Sequence, residues 1–418
     1  MKKLVLTYPN QRWQKDDMNT VWDLNPVTLC LLATSVKPDI LVIAGGVHIT
    51  TKYEFAFRNR RIDYGIRGEG EFVLRELLLF LQGEAERPTK GLIYRDAEGE
   101  VVVGDIVWVE DLNTLPWPDY SFINFEEYLQ RGERIGPNRP PEYPSYSVNT
   151  TRGCPFGCSF CQVEMISGKK VRYKDPKNVV DEILYLKGRY GIKSIVFGDD
   201  NMLMANGGRY AAELFQEMID REVNLKWVGT AFALFLLTDK HLRLMRDSGC
   251  IGLNVAIESG TERVLKQIVK KPIKDLKQVP KIIEKIHSYG MHCIANFIIG
   301  FSGETWEEIR ETIRFAEHCG ADYVKFFVAV PLYGTELYNI ASMGEFLVHN
   351  EEFPKTDWRY SQIKSEEWSA QDISILRLYE WDRINFAPDR IAKVASLWGL
   401  SIEELNEIRR KSRQNLVF

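Results

Sequence analysis

From residue 145 onward, short apolar runs alternate with longer stretches whose apolar residues recur every three to four positions. The runs at 145–150, 194–198, 225–230, 251–257, 293–299 and 323–329 read as buried strands. The stretches at 178–190, 208–221, 239–248, 276–289 and 304–319 read as amphipathic helices. This alternation predicts a parallel sheet, which right-handed crossovers curl toward a barrel. Six such units make a partial (β/α)6 barrel, whose chemistry belongs on the loops after the strand carboxyl ends.

The beginning of the chain repeats the pattern in shorter form. Strands are expected at 3–8, at 39–44 and at Tyr64–Ile66, and helices at 27–34, 52–60 and 71–82. Gly45-Gly46-Val47-His48 and Arg67-Gly68-Glu69-Gly70-Glu71 close the second and third strands. The fold class predicted for 1–88 is therefore α/β, a shortened Rossmann-like parallel sheet. Ligands of such sheets bind where Gly45, Gly46 and Gly68 would lie, although glycines there also serve plain tight turns. Residues 89–144 read as a connecting region. They hold a hairpin around Asp96-Ala-Glu-Gly99 and then the proline-dense stretches 115–118 and 137–141, which favour extended chain. The core is assigned to 145–345 and a helical tail to 346–418. In that tail Ser369-Ala-Gln-Asp372 opens an amphipathic stretch, and Ser401-Ile-Glu-Glu404 matches a capping box. Trp358, Trp368 and Trp381 either pack the core or shape a pocket over the open side of the barrel.

Composition changes this picture little. The 418 residues are 45% hydrophobic and 27% charged, as in an ordinary globular protein, and suffice for two or three domains. A formal net charge of −4 argues against a large basic surface for nucleic acid. No run approaches the roughly 18 apolar residues of a membrane span, and Leu4-Val5-Leu6 is too short for a signal-peptide core. Of seven cysteines, Cys30, Cys250, Cys293 and Cys319 are scattered in apolar surroundings, where a thiol is usually a small buried hydrophobe. A cytoplasmic, reduced protein is expected.

The remaining three cysteines carry the chemistry. In Thr150-Thr151-Arg152-Gly153-Cys154-Pro155-Phe156-Gly157-Cys158-Ser159-Phe160-Cys161 their spacing fits neither a helix face nor a strand face. Gly153, Pro155 and Gly157 supply the turns of a loop that folds its thiolates toward one point. Such clusters hold soft metals. A closed zinc site needs a fourth ligand, and the nearest later candidates, His241 and Cys250, are about eighty residues on. A structural zinc or disulfide site is the alternative to a cluster with one open iron. The loop resembles that of the radical S-adenosylmethionine (radical SAM) superfamily, with its C-x3-C-x2-C signature and an aromatic residue before the last cysteine. The N-terminal part resembles the cobalamin-binding domain that precedes the core in one subgroup.

The resemblance implies that Cys154, Cys158 and Cys161 ligate a 4Fe–4S cluster whose fourth iron is chelated by S-adenosylmethionine. It implies cofactor contacts from Phe160, from Asp199 and Asp200 after the second core strand, from Glu258 and Ser259 after the fourth, and from Gly300 after the fifth. It would give Gly45, Gly46, His48, Gly68 and Glu69 to cobalamin. Two strand–helix units and the usual D-x-H-x-x-G segment of that domain are missing, so weak corrinoid binding is expected, and His48 is not assigned to cobalt. The implied activity is cleavage of S-adenosylmethionine to a 5′-deoxyadenosyl radical that abstracts hydrogen from an unactivated carbon, followed by cobalamin-dependent methylation. A cyclase or oxidoreductase without methyl transfer and a non-catalytic Fe–S electron-transfer or sensor protein are the alternatives. An external electron donor of the flavodoxin or ferredoxin type is implied. The substrate is a small molecule, lipid, tetrapyrrole or peptide.

Overall fold

The computed structural model describes residues 41–130, 140–273, 275–348 and 358–414. The strand expected at 3–8, the helix at 27–34 and Cys30 lie outside the described residues. The fold is α/β, with a small four-stranded sheet, a six-stranded parallel sheet and a helical C-terminal region.

In the small sheet β1 (Ile43–Ala44) pairs parallel with β2 (Tyr64–Ile66). The Gly45–Gly46 turn leads from β1 into the helix Val47–Ala56, which starts earlier than its hydrophobic pattern suggests because Gly46 adopts φ 89°. The expected hairpin forms as β3 (Leu92–Arg95) and β4 (Val101–Val103), and Asp96 Oδ1 closes its turn by accepting from the Glu100 N–H at 2.8 Å. It is not a separate connector. β3 pairs antiparallel with β2, so the sheet is mixed and continues through residue 103. Local pattern announces a hairpin but not the long-range partner of its first strand. The following proline-dense stretch, 115–118, is neither helix nor strand, as expected, and lies between two short turns. Asp111 and Asp119 cap two short 3-10 turns by accepting from Asn113 and Ser121 N–H, and the helix Phe125–Gln130 follows.

The core strands are β5 (Ser145–Val148), β8 (Ser194–Phe197), β9 (Lys226–Phe232), β10 (Cys250–Glu258), β11 (His292–Ile299) and β12 (Tyr323–Val328). All neighbours are parallel, in the order β5-β8-β9-β10-β11-β12. The two-stranded ribbon β6 (Thr151–Arg152) and β7 (Arg172–Tyr173) brackets the cysteine loop. The helices Pro176–Tyr190, Tyr210–Asp220, Asp239–Asp247, Gln278–Ser288 and Trp306–His318 fall where the periodicity puts them. Thr305 caps the last of these in a reciprocal capping box with Glu308.

The sheet leaves an edge at β12, and an exposed edge invites pairing with other chains. The C-terminal helix Ala370–Asn385 covers it. Asn385 there accepts from the Val324 N–H and donates to the Val324 carbonyl, both at 2.8 Å, as a neighbouring strand would. The capping box expected at Ser401/Glu404 is present, and Ser369/Asp372 forms a second one. Trp368 and Trp381 are buried in the core rather than lining a cleft. Among the described residues no helix is long and apolar enough to cross a membrane.

Candidate active site

The cysteine loop leaves β5 at its carboxyl end and is held at many points. Asp199, at the end of β8, is buried, and its Oδ1 accepts from the backbone and hydroxyl groups of both Thr150 and Thr151. Burial pushes Asp199 up to about 6 even though these four donors favour its ionised form. Asp200 accepts from the Gly153 N–H at 3.0 Å. Gly153 itself has φ 96°, and a side chain there would run into the Lys170 carbonyl. Further along, the Ser159 N–H donates to Val269 O and the Leu337 N–H donates to Ser159 O, at 3.0 and 2.9 Å. Gln162 then ties the loop to the Tyr333 carbonyl.

This frame gathers the three thiols, each half-buried and free of disulfides. Burial pushes Cys158 up to about 12 and Cys161 to about 11, and the Cys154 thiolate raises both further. A thiol set that resists ionisation by itself suits a site where metal cations favour the thiolate form. Asn201 donates to Cys154 Sγ at 3.5 Å. Among the described residues no three His, Cys, Asp or Glu side chains converge as donors to one metal ion.

The other expected cofactor residues divide. Phe160 is half-buried with its ring 6.0 Å from that of Phe301, beside Gly300, so the loop aromatic and the end of β11 do come together. Gly300 has φ 82° and packs against Ile373, so the C-terminal helix alone already requires a glycine there. Glu258 sits at the end of β10 with φ 75°, after a register shift, and its Oε1 meets Lys271 Nζ at 2.7 Å. Ser259 is turned away from the site, because it is fully buried and its hydroxyl is shared with Thr312 and Thr261. Its place is to hold the turn against the Trp306–His318 helix. Asp199 likewise organises the Thr150–Thr151 stretch, whereas Asp200 lies nearer the thiols and adds to the rise of Cys161.

With this geometry in hand, residues 148–316 match the family model described as the Radical SAM superfamily. Residues 148–316 thus form a radical SAM domain. It is 28% identical over 389 residues to cytidylyl-2-hydroxyethylphosphonate methyltransferase of Streptomyces wedmorensis, covering 83% of this chain and 70% of that protein. It is 29% identical over 314 residues to the anaerobic magnesium-protoporphyrin IX monomethyl ester cyclase of Rubrivivax gelatinosus, covering 73% of this chain and 54% of that one. Among solved structures, the radical SAM methyltransferase TsrM of Kitasatospora setae, with cobalamin and a [4Fe–4S] cluster bound, gives a TM-score of 0.63 at 17% identity. That match covers 93% of this chain and 84% of that one, and it concerns the fold.

In this radical SAM enzyme the small sheet docks directly onto the ribbon that carries the cysteine loop. Arg172 of β7 grips Glu69 with both terminal nitrogens, at 2.7 and 2.8 Å, and also donates to Val109 O and Ser167 O. Arg152 of β6 bridges Glu69 and Glu71. Burial would raise Glu69, but Arg172, the Val109 N–H and Arg152 outweigh it and hold the carboxyl below its ordinary range. Glu69 is thus an ion-pair anchor, not a free ligand for cobalamin. Gly68 is consumed by packing as well, since its N–H donates to Thr50 and a side chain would strike Val107 O. Gly45 and Gly46 remain exposed, and His48 beside them is half-buried, with its pKa lowered by burial and by Lys52. Sequence reasoning did not single out Lys271, Arg172 or Asn201 as site residues. Lys270-Lys271 looks like a solvated basic pair, and nothing local distinguishes one lysine from the other.

Proposed function

We propose that this enzyme methylates an unactivated carbon of its substrate with the help of cobalamin. The observation that carries the reading is the docking of the small sheet on the cysteine-loop ribbon through Glu69, Arg172 and Arg152. It brings the helix that follows the exposed Gly45–Gly46 turn against the short helix Val163–Ser167, just beyond the last cysteine. A side chain at Gly46 would meet nothing within 4 Å, so the turn leaves backbone open for a large flat ligand. Gly45, Gly46 and His48 are the residues that would hold it. The named methyltransferase activity of the Streptomyces relative supports the same chemistry.

Cys154, Cys158 and Cys161 would hold a 4Fe–4S cluster, which would supply the electron for cleavage of S-adenosylmethionine. The chain's own share is position and exclusion of water. Asp199 holds the entry to the loop, Asp200 and Asn201 fix its first cysteine, and Phe160 with Phe301 walls the far side with apolar surface. An external flavodoxin- or ferredoxin-type donor in the cytoplasm would deliver the electron. The substrate belongs to the small molecules, lipids, tetrapyrroles or peptides.

A second reading keeps the radical chemistry without methyl transfer. It is favoured by the packing of Gly68 and Glu69 and by the named cyclase activity of the Rubrivivax relative. Anaerobic equilibrium dialysis of the full chain against hydroxocobalamin and methylcobalamin separates the two. Measurable but weak binding is the expected result, given the missing strand–helix units, and its absence would leave cyclisation or another oxidation as the outcome.

A further inference from the structure

Two adjacent lysines leave the segment after the 264–269 helix in opposite directions. Lys270, in a left-handed conformation at φ 59°, reaches outward to Glu336. Lys271 turns inward, is nine-tenths buried and meets the equally buried Glu258. The segment is fastened to the cysteine loop by backbone, since Val269 O accepts from the N–H of Ser159, the residue after Cys158. Lys271 N–H donates to Leu265 O at 2.9 Å, which fixes where its side chain starts. The pair therefore cannot drift away from the thiols as an exposed ion pair could.

Both charges are buried, with Lys271 Nζ 2.7 Å from Glu258 Oε1, so neither is screened by solvent as a surface ion would be.

We propose that the Lys271–Glu258 pair tunes the reduction potential of the cluster bound by Cys154, Cys158 and Cys161, with Lys271 raising it and Glu258 lowering it. The proposal rests on the reading of those cysteines as cluster ligands. Reduction adds one negative charge to a site of low effective dielectric, where fixed buried charges on a segment tied to the cysteine loop act strongly. The expected size is about tenfold in the one-electron equilibrium, or ~59 mV. Both residues are positioning residues in this role, acting on the cluster through space.

The test is a potentiometric titration of the anaerobically reconstituted full chain, read by electron paramagnetic resonance beside an iron assay. Lys271→Met should lower the midpoint potential, and Glu258→Gln should raise it. The double variant should return close to the parent, and Lys271→Arg should keep the parent value. Opposite shifts are a response that loss of packing does not produce. Shifts of the same sign, or none, in variants with full iron would overturn the proposal. So would loss of iron in both single variants, which would make the pair a scaffold for the loop. A parent chain that takes up no iron would remove the cluster assignment itself, an outcome visible before any variant is compared.

Discussion

The small sheet and the six-stranded core use the same strand–turn–helix alternation but reach stability by different routes. In the core, β8, β10, β11 and β12 place fully buried residues such as Phe197, Val255, Phe297 and Phe326 in one continuous apolar cluster. Among the described residues the small sheet has β1 of two residues and β4 with no buried residue, and its apolar contacts fall into two separate small clusters. A sheet that buries so little surface gains little from the hydrophobic effect alone. Part of the difference is met by the charged joint of Glu69 with Arg172 and Arg152. The comparison teaches that this region is organised as an attachment to the cysteine-loop ribbon, so its stability and the site's geometry are coupled.

The largest effect should come from the loop itself. Cys158→Ala should abolish iron uptake on anaerobic reconstitution while circular dichroism reports an intact fold, because the loop is framed by Asp199, Val269 and Leu337 rather than by the thiol. Full iron content in that variant would remove the distinction between frame and ligands. The next effect should come from the joint. Arg172→Met leaves buried Glu69 with only Arg152 and the Val109 N–H to answer its charge, which costs up to roughly 3–5 kcal/mol. Urea unfolding should show it, with the small sheet losing amide-exchange protection before the core. Simultaneous loss of protection in both regions would contradict the picture of an attached unit.

The smallest effect concerns the core and depends on pH. Glu304 is buried with its Oε2 on the Gly300 and Phe301 N–H groups, and burial pushes it up to about 8 against those bonds. The native state therefore holds this proton between the ordinary carboxyl value of 4.5 and about 8, where the unfolded chain has released it. The stability it contributes is complete below the lower value and is lost as pH rises through the upper one. Glu304→Gln keeps an acceptor for both N–H groups. It should flatten the fall of melting temperature between about pH 6 and 8.5. An unchanged slope by calorimetry would assign the pH dependence elsewhere.

Local chemistry in the sequence determined much of this protein. Hydrophobic period placed the core strands and helices, because a half-buried helix and a buried strand each impose their repeat on neighbouring residues. The Gly, Pro and Cys spacing at 153–161 announced the thiolate loop for the same reason, since turn and ligand lie within one short segment. Asp200, Glu258 and Phe160 were legible as candidates because each follows a core strand, where parallel folds collect their chemistry. What only the tertiary structure decided depends on partners far apart in the chain. Lys271 and not Lys270 meets Glu258, Arg172 claims Glu69 across about a hundred residues, and Ser259 turns from the cofactor side to Thr312. The hairpin at 92–103 extends the small sheet instead of linking two domains, and Gly300 answers to Ile373 of the C-terminal helix. A sequence pattern records which face an element buries, but the identity of the group met there is set by packing between elements, which no local repeat encodes.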